Sequence, residues 1–496
     1  MRPQRAAALV LLGALGAWGG IEAWQSLKPL PPGLHVASPP YCGSDAQAAF
    51  IADVTAADAF GRAAVSQGIL DAMLEVVQGA HRFIVLDYAL FGADATATAP
   101  QRHGAAALTD ALLERRRNDP QLQVLLITDP VNERYGATRL AELELLRAAG
   151  AEVVLADTGQ LRDSNPLYSG LWRLTLAWWD RYAGPMAFAG RRLNFKADGR
   201  RVIIADDGRG GLAAVIGSAT PLDSESGWSN VAVRLGGEEL QALLASELAV
   251  AGFSGGRGRA QAFAPASAAA PAAAAQVAAA QVADASCGGA GAGPPGSGMR
   301  VQLLTEGAIR EALLARLDAT QRGDSIEVAV FHLAERSIVD SLLSAARRGA
   351  SVRLILDPGT AGVEVGAAGI PNRPVAAELV ARSGGAVRVR WYRTHGERFH
   401  DGLVMIESGA SLWLALGSAQ LTRRSLDDYD LEADVAIELL RDSALGEQAL
   451  GYFDTLWSNR ASLGIEYTTD FAVFADPAQS DYWLGRVMEG TGLSAF

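Results

Sequence analysis

The chain has 496 residues, 49% of them hydrophobic and 20% charged, which excludes wholesale disorder and exceeds the size of one ordinary domain. A formal net charge of -12 disfavours a protein that coats nucleic acid, because neutralising phosphates takes a surplus of Lys and Arg. The two cysteines, Cys42 and Cys287, lack metal-ligand spacing and do not make a disulfide framework; a single bridge in an oxidising compartment is the minor alternative. No metal site or cofactor motif is expected.

The first segment, residues 1–24, reads as an address. Arg2 and Arg5 precede an apolar run from Ala6 to Gly20, the pattern of a signal peptide or signal anchor. The nearest small-x-small pattern, Ala17-Trp18-Gly19, is a poor cleavage site, so an uncleaved anchor is favoured, although the run is short against the roughly 20 residues of a spanning helix. The positive flank predicts a bacterial-type inner-membrane protein with the bulk of the chain periplasmic or otherwise extracytoplasmic. Residues 25–45, proline-rich from Leu27 to Pro40, read as an extended spacer, with globular sequence from about Ala46.

Two bodies follow, residues 46–258 and 299–496, separated by an Ala/Gly/Pro-rich linker over 259–298. They repeat one another. A helix-period segment at Ile69–Val77 leads to a strand at Arg82–Asp87; Ile309–Leu317 likewise leads to Ile326–Phe331. Amphipathic helices at Ala106–Arg116 and Ile338–Arg348 come next. Each precedes a buried-type strand ending in Asp-Pro, Val124–Pro130 and Val352–Pro358. Later, Val202–Asp206 and Leu403–Glu407 each form a hydrophobic strand closed by an acid. A strand ending in Gly-Ser follows both, at Val215–Ser218 and Leu414–Ser418. Alternating strands and helices predict an α/β sandwich built twice.

Strand, acid, turn, strand and Gly-Ser in two tandem lobes resemble the phospholipase D superfamily, whose signature is His-x-Lys, four residues, Asp, and then Gly-Ser-x-Asn. The segments 394–400 and Gly417–Arg424, followed by Leu426–Glu432, are similar to the second such block of bacterial, cardiolipin-synthase-like members. The resemblance implies two α/β sandwich lobes forming a pseudo-dimer, with a shared site at their seam. It also implies where the motifs have decayed. In the second lobe His400 stands at the histidine position, Gly402 at the lysine, Glu407 at the aspartate and Gln420 at the asparagine. In the first, counting back from Asp206 puts Arg201 at the lysine and Gly199 at the histidine; Ser218 is kept and Thr220 replaces asparagine. A register placing Phe195 at the histidine is rejected because it strands the acid.

In the family one histidine attacks phosphorus and the other protonates the leaving alcohol, while lysines and Gly-Ser-x-Asn groups hold the charged oxygens. The resemblance therefore implies His400, Asp206 and Glu407 as remnants of the catalytic set, with Arg201, Ser218, Ser418 and Lys196 around phosphate. Arg201 keeps a permanent charge at the lysine position. The expected substrate is a phospholipid or other phosphodiester, with weak or lost catalysis. A phosphate-binding or scaffolding pseudoenzyme at the membrane is the alternative, and a nuclease is disfavoured by charge and address. Arg423 and Arg424 are as readily plain surface as cleft, His81, His103, His332 and His395 form no usable arrangement, and Trp172, Trp178 and Trp179 suit either a core or a bilayer.

Overall fold

The computed structural model describes residues 3–57, 63–92, 102–175, 196–237, 240–256, 263, 298–359, 369–460, 465–475 and 479–494. Among these residues the strands form one eight-stranded and one nine-stranded sheet, a sheet for each lobe. The first runs Ala63–Ser66, Ala49–Ala57, Asn230–Gly236, Leu212–Gly217, Arg201–Asp206, Phe83–Tyr88, Gln123–Thr128 and Glu152–Leu155 across its width. The second runs Tyr41–Gly43, Met299–Thr305, Ala433–Leu440, Ser411–Gly417, Gly402–Ser408, Ser325–Val330, Ser351–Leu356, Val387–Tyr392 and Thr468–Asp470.

The repeat read from sequence is a structural repeat. Phe83–Tyr88 pairs in parallel with Gln123–Thr128 and antiparallel with Arg201–Asp206, as Ser325–Val330 does with Ser351–Leu356 and Gly402–Ser408. The parallel pairs are joined through the helices Gly104–Asn118 and Arg336–Arg348, as a parallel crossover requires. Their strands are buried on both faces, which explains why Val124–Ile127 and Val352–Leu356 are nearly unbroken aliphatic runs. The helix Ile69–Gly79 turns Ile69, Ala72, Met73, Val76 and Val77 inward, at the spacing of one helical face.

The two Asp-Pro signals have one shared job. Asp129 Oδ1 accepts from Val131 N at 2.7 Å and its Oδ2 from Asp198 N at 2.8 Å; Asp357 does the same with Gly359 N at 2.6 Å and Phe399 N at 2.9 Å. Each aspartate thus folds its own loop and pins the residue just before the histidine position. Asn132 and Asn372 repeat each other too, each donating to the carbonyl of its own aspartate and to a loop carbonyl, Ala89 O or Phe331 O.

Two expectations change. The Pro-rich stretch is no free spacer: Ser38 N bonds Leu303 O at 2.9 Å, His35 Nδ1 lies 2.8 Å from Asp428, and Tyr41–Gly43 adds an edge strand to the second lobe's sheet. The chain therefore touches its second lobe before it builds its first. Cys42 is disulfide-bonded, the minor alternative at the sequence level; the other cysteine of the sequence, Cys287, lies outside the described residues. So does nearly all of the 259–298 linker, together with Trp178 and Trp179, whereas Trp172 is buried. The N-terminal segment is a helix, Pro3–Leu27. Among the described residues no helix is long and apolar enough to cross a membrane.

Candidate active site

Strand register fixes which residues correspond. Tyr88 faces Arg201 and Ile84 faces Ala205, just as Val330 faces Gly402 and Ile326 faces Ile406. Arg201 therefore matches Gly402, and Gly199 matches His400. The lobes meet through mirrored backbone bonds at these positions. Gly199 N donates to Leu431 O at 2.8 Å and Leu431 N to Ala197 O at 3.0 Å; His400 N donates to Ser229 O at 2.8 Å and Ser229 N to Arg398 O at 3.0 Å. The Gly-Ser turns mirror one another as well. Ser218 Oγ donates to Asn230 Oδ1 at 3.1 Å and accepts from Val231 N at 3.1 Å, while Ser418 Oγ donates to Glu432 and accepts from Ala433 N at 3.0 Å. Asn230 and Glu432 are counterparts.

His400 is buried between Trp228 and Phe331, with ring centroids at 5.3 and 5.0 Å. The Arg398 guanidinium lies over both aromatic rings, 5.0 Å from one and 5.3 Å from the other. His400 Nδ1 sits 3.2 Å from Ser218 O. A carbonyl oxygen only accepts, so Nδ1 carries the hydrogen and Nε2 keeps its lone pair. Burial, reinforced by Arg201, Arg398 and His332, holds the imidazole well below its usual pKa and so neutral. It is a nucleophile in form.

Across the dyad there is no side chain to match it. A Cβ on Gly199 would stand 2.8 Å from Glu432 Oε1 and 2.9 Å from its Cδ, so the Glu432 carboxyl fills the place where a first-lobe histidine would begin. Burial, followed by Asp430, pushes this carboxyl up to about 8, against the pull of Arg201 and the Ser418 hydrogen bond. Gly402 is closed in by backbone: a Cβ there would meet Gly417 O at 3.0 Å and Ala419 O at 3.1 Å.

The structure brings Arg201, Ser218, Ser418 and His400 to the seam. Arg201 Nη1 donates to Ser418 O at 3.1 Å, mirroring the His400–Ser218 contact, and its buried Nε has no hydrogen-bond partner. Three expected site residues are elsewhere. Asp206 closes the far end of its strand by accepting from Arg82 N at 2.7 Å and Phe83 N at 2.9 Å. Glu407, at the matching far end, faces Arg441 at 3.4 Å. Five strand residues carry both acids about 17 Å away from the seam, so their role is to fix strand ends. Lys196 is buried, paired with Asp163 and donating to Leu161 O at 2.5 Å, so its ammonium is spent within the first lobe. Gln420, at the asparagine position, accepts from Phe331 N at 3.0 Å and donates to Asp401 O at 3.1 Å rather than facing the seam.

Sequence reasoning passed over Glu432, Asn230, Trp228 and Arg398. A signal did exist for the first two: each opens a hydrophobic strand, Asn230-Val231-Ala232-Val233 and Glu432-Ala433-Asp434-Val435, shortly after its Gly-Ser turn.

A family model described as cardiolipin synthase, PLD-like domain, matches residues 313–457, the body of the second lobe. The second lobe is thus similar to the phospholipase D-like family. Phosphatidylserine synthase of Haemophilus influenzae Rd KW20 superposes over 95% of this chain and 99% of its own, with a TM-score of 0.53 at 10% identity, and so shares the two-lobed fold. Weaker likenesses are to polyphosphate kinase of Porphyromonas gingivalis (TM-score 0.45, 11% identity, 89% of this chain and 53% of that one) and to the phospholipase D family member Nuc of Salmonella typhimurium (0.26, 19%, 35% and 97%). No curated protein matches the chain by sequence. Of the two dyad-related motif positions, only that of His400 carries an imidazole, with His332 nearby.

The lowered His400 pKa gives a signed expectation. The folded protein refuses a proton that the unfolded chain takes up near pH 6.5, so this contribution to stability is present above that value and is lost as pH falls below it. NMR of ring-labelled histidine should find His400 neutral, with hydrogen on Nδ1, at the pH near 6.5 where an ordinary histidine is half protonated; an ordinary midpoint there would contradict the burial described here.

Proposed function

We propose that this chain is a phosphodiesterase or phosphatidyltransferase of phospholipid diesters by descent, whose two-histidine chemistry has been lost and whose turnover is weak. One observation carries the reading: the seam holds a neutral, Nδ1-protonated His400, while its counterpart is Gly199 with a carboxyl packed against it. One imidazole can attack phosphorus or protonate a leaving group, but cannot hold both states in one step. Losing an acid–base partner costs about 10²–10⁴ in rate, and losing a charge-stabilising donor such as the motif lysine about 10²–10³, without the two factors simply multiplying. Refilling the motif is obstructed at both glycines, by Glu432 at one and by backbone oxygens at the other. The pseudoenzyme reading is favoured by the same inward-turned Gln420 and by serine hydroxyls already bonded within their own turns.

Bis(4-nitrophenyl) phosphate separates the two. The expected result is slow hydrolysis, well under the roughly 10 s⁻¹ of a typical enzyme, that disappears in His400→Ala. No His400-dependent hydrolysis supports the pseudoenzyme instead, and ordinary rates untouched by His400→Ala place the chemistry elsewhere.

Location is proposed with the function. The helix Pro3–Leu27 exposes Leu9, Val10, Leu11, Leu12 and Leu15, and residues 9–20 are exposed on every side of it. Trp18 packs against Gly170, but the apolar turns before it are left open, which suits lipid better than one protein groove. Arg2 and Arg5 ahead of it support a reading in which the lobes lie on the far side from the cytoplasm. A reporter active only in the periplasm, fused after Phe496, should be active; activity of a cytoplasmic reporter alone would overturn the placement.

A further inference from the structure

The seam is asymmetric in a way that the count of histidines hides. At one dyad-related position His400 faces the turn of Ser229 and Asn230; at the other, Gly199 faces the turn of Leu431 and Glu432. Each position thus holds one titratable group, an imidazole at the first and a carboxyl at the second, and the second lobe supplies both. The Glu432 oxygens lie 2.8–2.9 Å from where a Gly199 side chain would start, so the carboxyl packs against the point at which the absent side chain would begin. Between the two, Arg201 acts electrostatically on both His400 and Glu432 and keeps a buried, unpartnered Nε–H.

We propose that Glu432 has taken over the task of the missing first-lobe histidine, protonating the leaving oxygen of a phosphodiester that His400 attacks. This rests on the functional reading above. In the step, the Nε2 lone pair of His400 forms the P–N bond as the P–O bond to the leaving group breaks. The Glu432 proton passes to that oxygen, giving a neutral alcohol and a carboxylate. The Nδ1 hydrogen stays on the ring and keeps its hydrogen bond to Ser218 O. In return, the carboxylate takes a proton from water as the water oxygen attacks phosphorus, releasing His400 and restoring both groups. Arg201 holds a non-bridging oxygen, where a donor is worth most.

The surroundings keep a proton on Glu432 near neutral pH. Asp430 precedes it, Asp434 lies further along the same strand, and Glu306 holds its backbone, with Glu432 N donating to Glu306 Oε1 at 3.2 Å. Against these stand Arg201 from the first lobe and the Ser418 hydroxyl. Burial outweighs them and leaves the carboxyl at about 8. A group in this range suits general-acid work.

Leaving-group dependence reads the role directly. A 4-nitrophenolate departs without a proton, whereas a phenolate needs one. In a single turnover, Glu432→Gln should therefore slow phenol release from diphenyl phosphate by about 10²-fold or more beyond any slowing of 4-nitrophenolate release from bis(4-nitrophenyl) phosphate. His400→Ala should abolish both. Equal loss on the two substrates would make Glu432 a merely structural residue and overturn the proposal; no His400-dependent turnover of the nitrophenyl diester would overturn the functional reading beneath it. Wild-type protein gives a check that needs no variant. In single turnovers, phenol release from diphenyl phosphate should slow as pH rises past about 8 while 4-nitrophenolate release does not, and parallel profiles for the two would also refute the proposal.

Discussion

The seam depends on one repeated interaction, a backbone N–H at each histidine position donating to the turn of the opposite lobe. Gly199 N to Leu431 O and His400 N to Ser229 O set the lobes in register, and the Asp129 and Asp357 carboxylates behind them hold Asp198 and Phe399 in place. Because these are main-chain contacts, they survive changes of side chain. That explains how glycine can stand opposite His400 in the repeat, and neither strand start carry a lysine, while the pseudo-dimer is kept. The fold constrains backbone atoms at the seam, and chemistry constrains only the side chains that line it.

Away from the seam the lobes have diverged through charge. Arg200 and Asp401 occupy equivalent positions, directly after Gly199 and His400. Arg200 is fully buried, bonding Glu247 Oε1 at 3.1 Å in its own lobe and Glu306 Oε1 at 2.8 Å in the other. Asp401, pushed up to about 8 by burial, accepts from the Tyr452 hydroxyl at 2.7 Å. A buried cation with two carboxylates spanning the interface is costly to break, because either partner left alone would be an unpaired charge in the interior. Glu306 also takes the Glu432 backbone N–H. The ion pair that fastens the lobes therefore touches the carboxyl that faces Gly199.

Much of this was legible in the sequence where period and punctuation coincide. The aliphatic runs before Asp129 and Asp357 announce central parallel strands, and counting back from Asp206 aligns Gly199 with His400 because strand spacing is rigid. Direction and distant partnership were not legible. Lys196 is close to the motif in sequence but turns to Asp163. Asp206 and Glu407 belong to the motif but sit at the far strand ends, since a strand of that length separates its two ends widely. Tyr41–Gly43 joins the second sheet through three residues, too few to show a period. Glu432 was visible as a residue, but its role appears only when Gly199 is brought against it from the other lobe.

The central claim is that the phosphoryl site lies at the dyad between His400 and Glu432. Crystals soaked with orthovanadate, which adopts the trigonal-bipyramidal shape of a phosphoryl group in transfer, test it most directly. Vanadium bonded to His400 Nε2, with an apical oxygen toward Glu432 and an equatorial oxygen on Arg201, is the predicted result. Vanadate bound away from the seam, with His400 still enclosed by Trp228, Phe331 and Arg398, would contradict it.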